Sequence, residues 1–512
     1  MTALLALLVG ASLTLAACGG GASKSSPATA DKSSSAAGTI TAGIGYDGDD
    51  FDPANTTSAL GTSANWHTME GLTELDPVTR KVFPALAKEM PKKIDDTTWE
   101  ATLRDGAKYS DGTEVKASDI ENSAKLTMEG FYKPMLDFVE SVKAKDDKTI
   151  EIKTKFPFSL VPERISLIKA FPATQDEASR KSMPIGTGPY KMTSAIKSKA
   201  VEFEKNPNYK GPRPAKVEKM HWDILVDDTA RVTAITSGTV MAIDKVPAVN
   251  KSTLEGKAKT GAVQAFGLDF IMFNTKKPPF DNPKVRQAFL YAIDTNELIK
   301  KALGGDGTPA TSFLPKGHPN YHKAKMVYTK NVEKAKALLH EAGVSNLDIT
   351  LNTTDHGNIK AIAPLVQQQL SAIGVNAKIS TSASAAMYAN VTDVDNPQFD
   401  VVLAPGDPSV FGNDPDLLMN WWYGDNSWTQ KRTQWGGSKG YTKLHEIMDA
   451  ALRATGDEQQ NKWNEAMDLI SEEVPLYPLY HKKVVSAWDE STLDGFMPVG
   501  ISGVSCVFVA AK

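Results

Sequence analysis

The residues best able to do chemistry crowd one stretch of this 512-residue chain. Pro405-Gly406-Asp407-Pro408 begins it, and Asn413-Asp414-Pro415-Asp416 follows. Beyond these come Trp421, Trp422, Tyr423, Trp428 and Trp435, interleaved with the amides Asn420, Asn426 and Gln434. A carboxylate flanked by Gly406 and Pro408 loses little freedom on meeting a cation, and such a bond is charge-assisted. Aromatic walls with amide donors suit peptide side chains or sugar rings. Trp421 and Trp422 on one helix point about 100° apart, so at most one faces a cleft. Core packing is the alternative for each ring, and a structural turn is the alternative for Asp407.

Elsewhere the sequence asks for no catalysis. It has no His-Glu-x-x-His helix and no Gly-Lys-Ser/Thr phosphate loop. Gly43, Gly45 and Gly48 match Gly-x-Gly-x-x-Gly, but Asp49, Asp50, Asp52 and Pro53 follow, a poor start for a helix meant to hold pyrophosphate. His318 and His322 have i, i+4 spacing, yet Pro315, Gly317 and Pro319 make the segment a loop, read as solvated and not as a metal site. Neither a metal nor a cofactor is expected. The carboxylate pairs Asp49/Asp50 and Asp227/Asp228 read as surface or capping features.

The N-terminus supplies the other reactive group. Residues 1–17 are an apolar run that ends in small residues, too short for a confident membrane span, and read as a secretory signal peptide. Leu15-Ala16-Ala17-Cys18 resembles the bacterial lipobox, which implies an acylated Cys18 exposed by removal of the signal. Residues 18–38 are Gly, Ser, Ala and Thr with few apolar groups, a flexible linker that cannot bury a core. Two acyl chains on Cys18 would suffice for stable anchoring. The only other cysteine, Cys506, then has no disulfide partner, and it reads as a small core residue in a strand-like run at 504–509.

The body that follows is too long for one ordinary core, so two or three lobes are expected. A net charge of -4, spread along the chain, excludes the basic patches of nucleic-acid binding. Strand patterns at 39–46, 148–155, 219–226, 348–352, 378–382 and 399–404 alternate with helix patterns at 283–303, 331–342, 359–373, 441–454 and 458–473. Asp294 with Glu297 forms a capping-box pattern, predicting that the helix at 283–303 restarts there and stops at Gly304-Gly305. Interleaved elements of this kind predict α/β lobes.

Several segments, in order, resemble the family 5 extracellular solute-binding proteins of ABC importers, the oligopeptide and dipeptide receptors. They are Phe83-Pro84-Ala85-Leu86-Ala87, Trp99 with Leu103-Arg104-Asp105-Gly106, Asp111-Gly112-Thr113, Gly186-Thr187-Gly188-Pro189-Tyr190, Asn206-Pro207-Asn208-Tyr209 and Phe273-Asn274-Thr275 with Val285-Arg286-Gln287-Ala288. As residues these read as scaffold. Gly112 supplies a turn, and Gly186 and Gly188 a sharp change of direction between lobes.

The resemblance implies an α/β, two-lobed periplasmic-binding-protein-like clamp of class II type, with an extra subdomain on the first lobe. Lobe I would comprise 39–74, 185–265 and 485–512, the subdomain 75–184, and lobe II 266–484. Two strands would cross between lobes, near 266–273 and 481–488. The implied function is capture of peptides in the interlobe cleft and delivery to a membrane permease, without catalysis. The chain would be a monomer anchored by lipid at the outer face of the cytoplasmic membrane, or periplasmic. In peptide-binding members an aspartate of the second lobe takes the ligand's α-ammonium. Asp407 best fits that place and Asp414 is the alternative, in a loop that departs from the usual pattern. Asn413, Trp422, Trp435, Phe266, Asp269 and Tyr46 occupy further positions that could face the cleft. A non-peptide solute (an oligosaccharide, a metal chelate or a siderophore) remains a second reading, and a secreted lipoprotein enzyme a third.

Overall fold

Two long strands, Lys259–Phe273 and Leu476–Trp488, organise the molecule. They pair antiparallel from Lys259 opposite Trp488 to Met272 opposite Leu476, with the register broken between Gln264 and Leu268. Before the break the pair continues into one half of the sheet, where Ala487 and Trp488 bond to Ala242–Ile243. After it, Leu268 to Phe273 bond to Val401–Gly406. Phe266 to Phe273 are buried without interruption, as suits a strand covered on both faces. The structure, a computed structural model, describes residues 38–512. The segments expected to be a signal peptide and a linker, including Cys18, lie outside the described residues apart from Gly38.

One half of the sheet continues from Ala242–Ile243 through Thr39–Ile44, Lys219–Ile224 and Ala200–Lys205 to Tyr190–Ile196. The other continues from Val401–Gly406 through Leu347–Thr354 to Val375–Ser382. Thr39–Ile44 is parallel to both its neighbours, and so is Leu347–Thr354. Parallel neighbours need crossovers, and the helices Asp228–Thr236 and Gly357–Ser371 provide them. In such sheets the carboxyl ends of the strands present ligand-binding loops. Tyr46, Lys245, His356 and Asp407 stand at or just beyond such ends.

A separate antiparallel sheet, ordered Lys92–Lys93, Thr98–Thr102, Thr149–Thr154 and Val139–Ala144, is backed by the helix Ala117–Glu129. Its core, with Ile120, Ile150 and Ile152, is continuous with that of the sheet half containing Val401–Gly406. Ile40, Phe203 and Trp222 form a distinct core in the half containing Thr39–Ile44. The whole is the two-lobed α/β clamp with a subdomain.

Local signals fared unevenly. The helix restart is present: Pro283–Ala292 is followed by Thr295–Leu303, the Asp294 side chain accepts from the Glu297 N–H at 3.1 Å, and Gly304 ends the helix in the left-handed region. Residues 504–509 are not a strand. The Cys506 N–H donates to His67 Nε2 at 2.9 Å and the Val509 N–H closes a turn onto the Cys506 carbonyl, so no ladder forms. Cys506 itself is fully buried, as its reading as a core residue required. Gly186 and Gly188 serve close approach, not a turn. Neither has positive φ, and a Cβ on Gly186 would stand 2.0 Å from the Thr68 carbonyl oxygen. His318 is buried, not solvated, and its Nε2 bonds the Asn413 carbonyl at 2.7 Å.

Candidate ligand-binding cleft

Asp407 follows the strand Val401–Gly406 directly. Gly406 is required there, because a Cβ would lie 2.3 Å from the Trp422 ring. Asp407 Oδ1 accepts from the Ser409 N–H at 3.0 Å and the Ser409 hydroxyl at 2.6 Å. This Asx-type turn fixes the carboxylate. Oδ2 makes no hydrogen bond among the described residues, and it lies 3.0 Å from where a Cβ on Gly267 would be. Burial pushes the carboxyl above its ordinary range, while the Ser409 bonds, Lys482 and Arg80 oppose the shift.

Arg80 approaches the same loop from the turn between Thr73–Leu75 and Val82–Pro84. The turn is built by Asp76, which accepts from the Val78 N–H at 3.0 Å and the Thr79 N–H at 2.5 Å. Arg80 sits in it at φ 59°, a left-handed conformation uncommon for a residue with a Cβ. Its Nη2 donates to the Ser409 carbonyl. Burial lowers its pKa to about 10, against the opposing charges of Asp407 and Asp76. Tyr46 is half-buried with Lys245 Nζ 5.0 Å over its ring, and burial, Asp244 and Asp407 together push its hydroxyl upward.

A small cavity of about 50 Å³ opens beside this loop, lined by Asn65, Trp66, Arg80, Tyr132, Lys169 and Phe411 among others. Lys169 is neutralised by Glu74 at 2.5 Å. Tyr132 donates its hydroxyl to the Thr56 carbonyl at 2.6 Å. Asn65 Nδ2 donates to the Phe51 carbonyl at 3.3 Å, which leaves Oδ1 buried and without a partner.

The other sequence-selected residues scatter. Asp414 accepts a bidentate bond from Arg164, and it also caps the helix Pro415–Tyr423 by accepting from the Leu417 N–H at 2.9 Å. Asn413 offers its carbonyl to His318. Trp422 is buried against Phe270 and Trp428, and Trp435 against Tyr423 and Tyr441. Of the paired tryptophans, Trp421 is the one that turns outward, stacking on Phe411 near Phe131. Phe266 packs on Phe313 and His481. Asp269 is fully buried between the Tyr480 hydroxyl at 2.6 Å, Asn358 Nδ2 at 2.5 Å and Lys482 at 3.3 Å. Asp407 and Tyr46 therefore lie near one another, with Arg80, Lys245 and Lys482, which sequence reasoning did not select, beside them. Asp76-Pro77 is a turn signal that could have pointed toward Arg80.

Comparison with known proteins agrees with this architecture. Residues 81–430 match the model for bacterial extracellular solute-binding proteins, family 5. The chain belongs to that family. Similar family 5 relatives include the glutathione-binding protein GsiB of Salmonella typhimurium, 27% identical over 499 residues that span 92% of this chain and 94% of the relative. The Escherichia coli K12 protein of the same name is 25% identical over 492 residues, with the same coverage. Among solved structures, the ABC transporter substrate-binding protein CtaP of Listeria monocytogenes superposes with a TM-score of 0.80 at 21% identity, covering 93% of this chain and 99% of its own. A dipeptide-binding protein of Pseudoalteromonas, in complex with Met-Leu, gives 0.76 at 21% identity, covering 93% and 100%. As a family 5 member the chain is the extracytoplasmic solute-binding component of an ABC importer, a family of transport proteins and not of enzymes. Among the described residues no helix is long and apolar enough to cross a membrane.

Proposed function

We propose that this solute-binding protein captures short peptides between its lobes and passes them to an ABC permease. The observation that carries this reading is Asp407, whose Oδ1 is spent on Ser409 while Oδ2 stays free beside Gly267. A preorganised, partly desolvated carboxylate is what an α-ammonium needs. The glutathione and dipeptide binders among the similar proteins add support, since both ligands are short peptides with free termini.

In this reading the lobes are 39–74, 185–265 and 485–512 against 266–484, with 75–184 as the subdomain. The hinge is the register break between Gln264 and Leu268. Closure excludes water and so strengthens each polar contact to the ligand. Cys18 carries the lipid that holds a monomeric protein at the membrane, and residues 18–38 are its leash. Calorimetry with free and N-acetylated peptides tests the role of Asp407. Asp407→Asn is expected to weaken free peptides by roughly 30-fold or more and acetylated ones little. Equal losses, or none, remove Asp407 from this role.

A further inference from the structure

We propose that Arg80 is a positioning residue for ligand capture, acting through Ser409 to pin the loop that holds Asp407. This rests on the peptide reading above and adds the link by which closure of the clamp tightens the ammonium site.

Asp407 is aimed by Ser409, whose N–H and hydroxyl both bond its Oδ1. Where Ser409 moves, the carboxylate follows. The Ser409 carbonyl is bonded in turn by Arg80 Nη2. Guanidinium carries its donors in a rigid planar fork, so it fixes an acceptor more narrowly than a lysine ammonium does. The loop is met a second time at Phe411, whose ring lies 5.5 Å from that of Phe131 and 5.9 Å from that of Tyr132. Arg80, Phe131 and Tyr132 belong to 75–184, whereas Asp407 to Phe411 belong to 266–484. In the lobe assignment proposed above, both contacts cross between bodies that closure brings together. The open clamp leaves Ser409 unpinned, and the shut clamp fixes Ser409 and the carboxylate with it.

Arg80 is itself held from the first lobe. Its turn is built on Asp76, which accepts from the Val78 and Thr79 N–H groups and from Arg213 Nη2 at 2.6 Å. The Arg213 guanidinium also lies 3.5 Å from the centroid of the Phe83 ring, on the strand that leaves the turn. Arg213 thus grips the hairpin at its turn and at its strand. The Arg213 N–H donates to the Tyr209 hydroxyl at 3.2 Å, and that hydroxyl donates to Glu70 Oε1 at 3.1 Å. Tyr209 ends the Asn206-Pro207-Asn208-Tyr209 segment, read above as scaffold. Arg80 stands at φ 59°. Strained backbone of this kind persists where surrounding contacts over-determine it, and it collects at ligand clamps. Here those contacts are Asp76, Arg213 and Ser409.

Charge alone gives the opposite sign. A cation beside Asp407 repels an incoming ammonium, so deleting Arg80 would tighten free peptides if it acted only through its charge. Deleting a positioning contact loosens them.

The test is calorimetry on the mature chain with glutathione and a dipeptide panel that includes Met-Leu, each free and N-acetylated. Arg80→Asn is the first variant, because asparagine tolerates the left-handed backbone but is too short to reach Ser409. It is expected to weaken free peptides roughly tenfold more than their acetylated forms, and to show no such difference in an Asp407→Asn background. The loss should appear as faster dissociation, followed by stopped-flow tryptophan emission, since Trp66 lines the adjoining cavity. Arg80→Lys should recover part of the preference for free peptides. Arg213→Met should lose part of it and add nothing to Arg80→Asn, a comparison that leaves the turn sequence itself unaltered. An intact melting transition checks folding of each variant. Equal losses for free and acetylated peptides, a difference that persists in the Asp407→Asn background, or tighter binding of free peptides overturns the proposal while leaving the peptide reading intact. A wild type that binds no member of the panel, or binds free and acetylated forms equally, overturns both.

Discussion

Arg164 and Asp414 form a bidentate ion pair, Nε to Oδ2 at 2.9 Å and Nη2 to Oδ1 at 3.0 Å, between the segment after the four-stranded sheet and the loop after Val401–Gly406. Both side chains are almost fully buried, and Asp416 closes on the same guanidinium. The pair ties the helical segment after the four-stranded sheet to the loop after Val401–Gly406.

Removing the cation leaves two buried carboxylates unpaired. Arg164→Met is therefore expected to cost about 3–5 kcal/mol of stability, read from chemical denaturation, and to enlarge the ligand-free particle in small-angle scattering. Unchanged stability and size would show that the pair is dispensable.

The pH dependence of binding follows from Asp407. Burial, its largest influence, raises this carboxyl above the ordinary range. Ammonium binding requires the ionised form, so affinity for free peptides is expected to fall as pH drops through that raised value, before ordinary surface carboxylates protonate. N-acetylated peptides should show no such fall. Titration calorimetry between neutral and mildly acidic pH reads the difference, and parallel curves would contradict it.

His221 offers a test of fold stability remote from the cleft. It lies between Asp223 at 3.0 Å and Glu202 at 2.6 Å, and these hydrogen bonds raise its pKa to about 9 despite some burial. The folded state holds the proton more tightly than the unfolded chain, whose histidine titrates near about 6.5. The stabilisation is thus complete below about 6.5 and is lost as pH rises through about 9. His221→Gln should flatten the stability profile across that window, and a profile unchanged from wild type would be evidence against the charged bridge.

Much of the scaffold was legible because its signals are local. Asp294 and Gly304 bound a helix through their own caps, and Gly112 sits at φ 92° in its turn. The strands that the family resemblance implied near 266–273 and 481–488 lie within the antiparallel pair Lys259–Phe273 and Leu476–Trp488. The site was less legible because it is assembled across the chain. Asp407 stands out from its loop and strand, but Arg80 reaches it over a separation of more than 300 residues, through a turn that betrays nothing of its neighbour. Trp422 and Trp435 have the composition of a binding wall, yet a chain position cannot tell a cleft face from a core face, and both went into the core. Asp414 carries the same charge as Asp407, and Arg164, 250 residues away, takes it.

Membrane attachment is tested at Cys18, in Leu15-Ala16-Ala17-Cys18. Cys18→Ala is expected to shift the protein from the membrane fraction to the medium or periplasm, and mass spectrometry should find acyl groups on wild-type Cys18. A variant that stays membrane-bound, with no lipid on the wild type, contradicts anchoring by this residue.

The nature of the cargo is the central claim, and native mass spectrometry of the protein purified from its own cells measures it most directly. The account predicts a bound mass, released on unfolding, that fragments as a peptide of dipeptide to tripeptide size and is depleted in Asp407→Asn. A released oligosaccharide, siderophore or metal chelate, retained equally by Asp407→Asn, would contradict it.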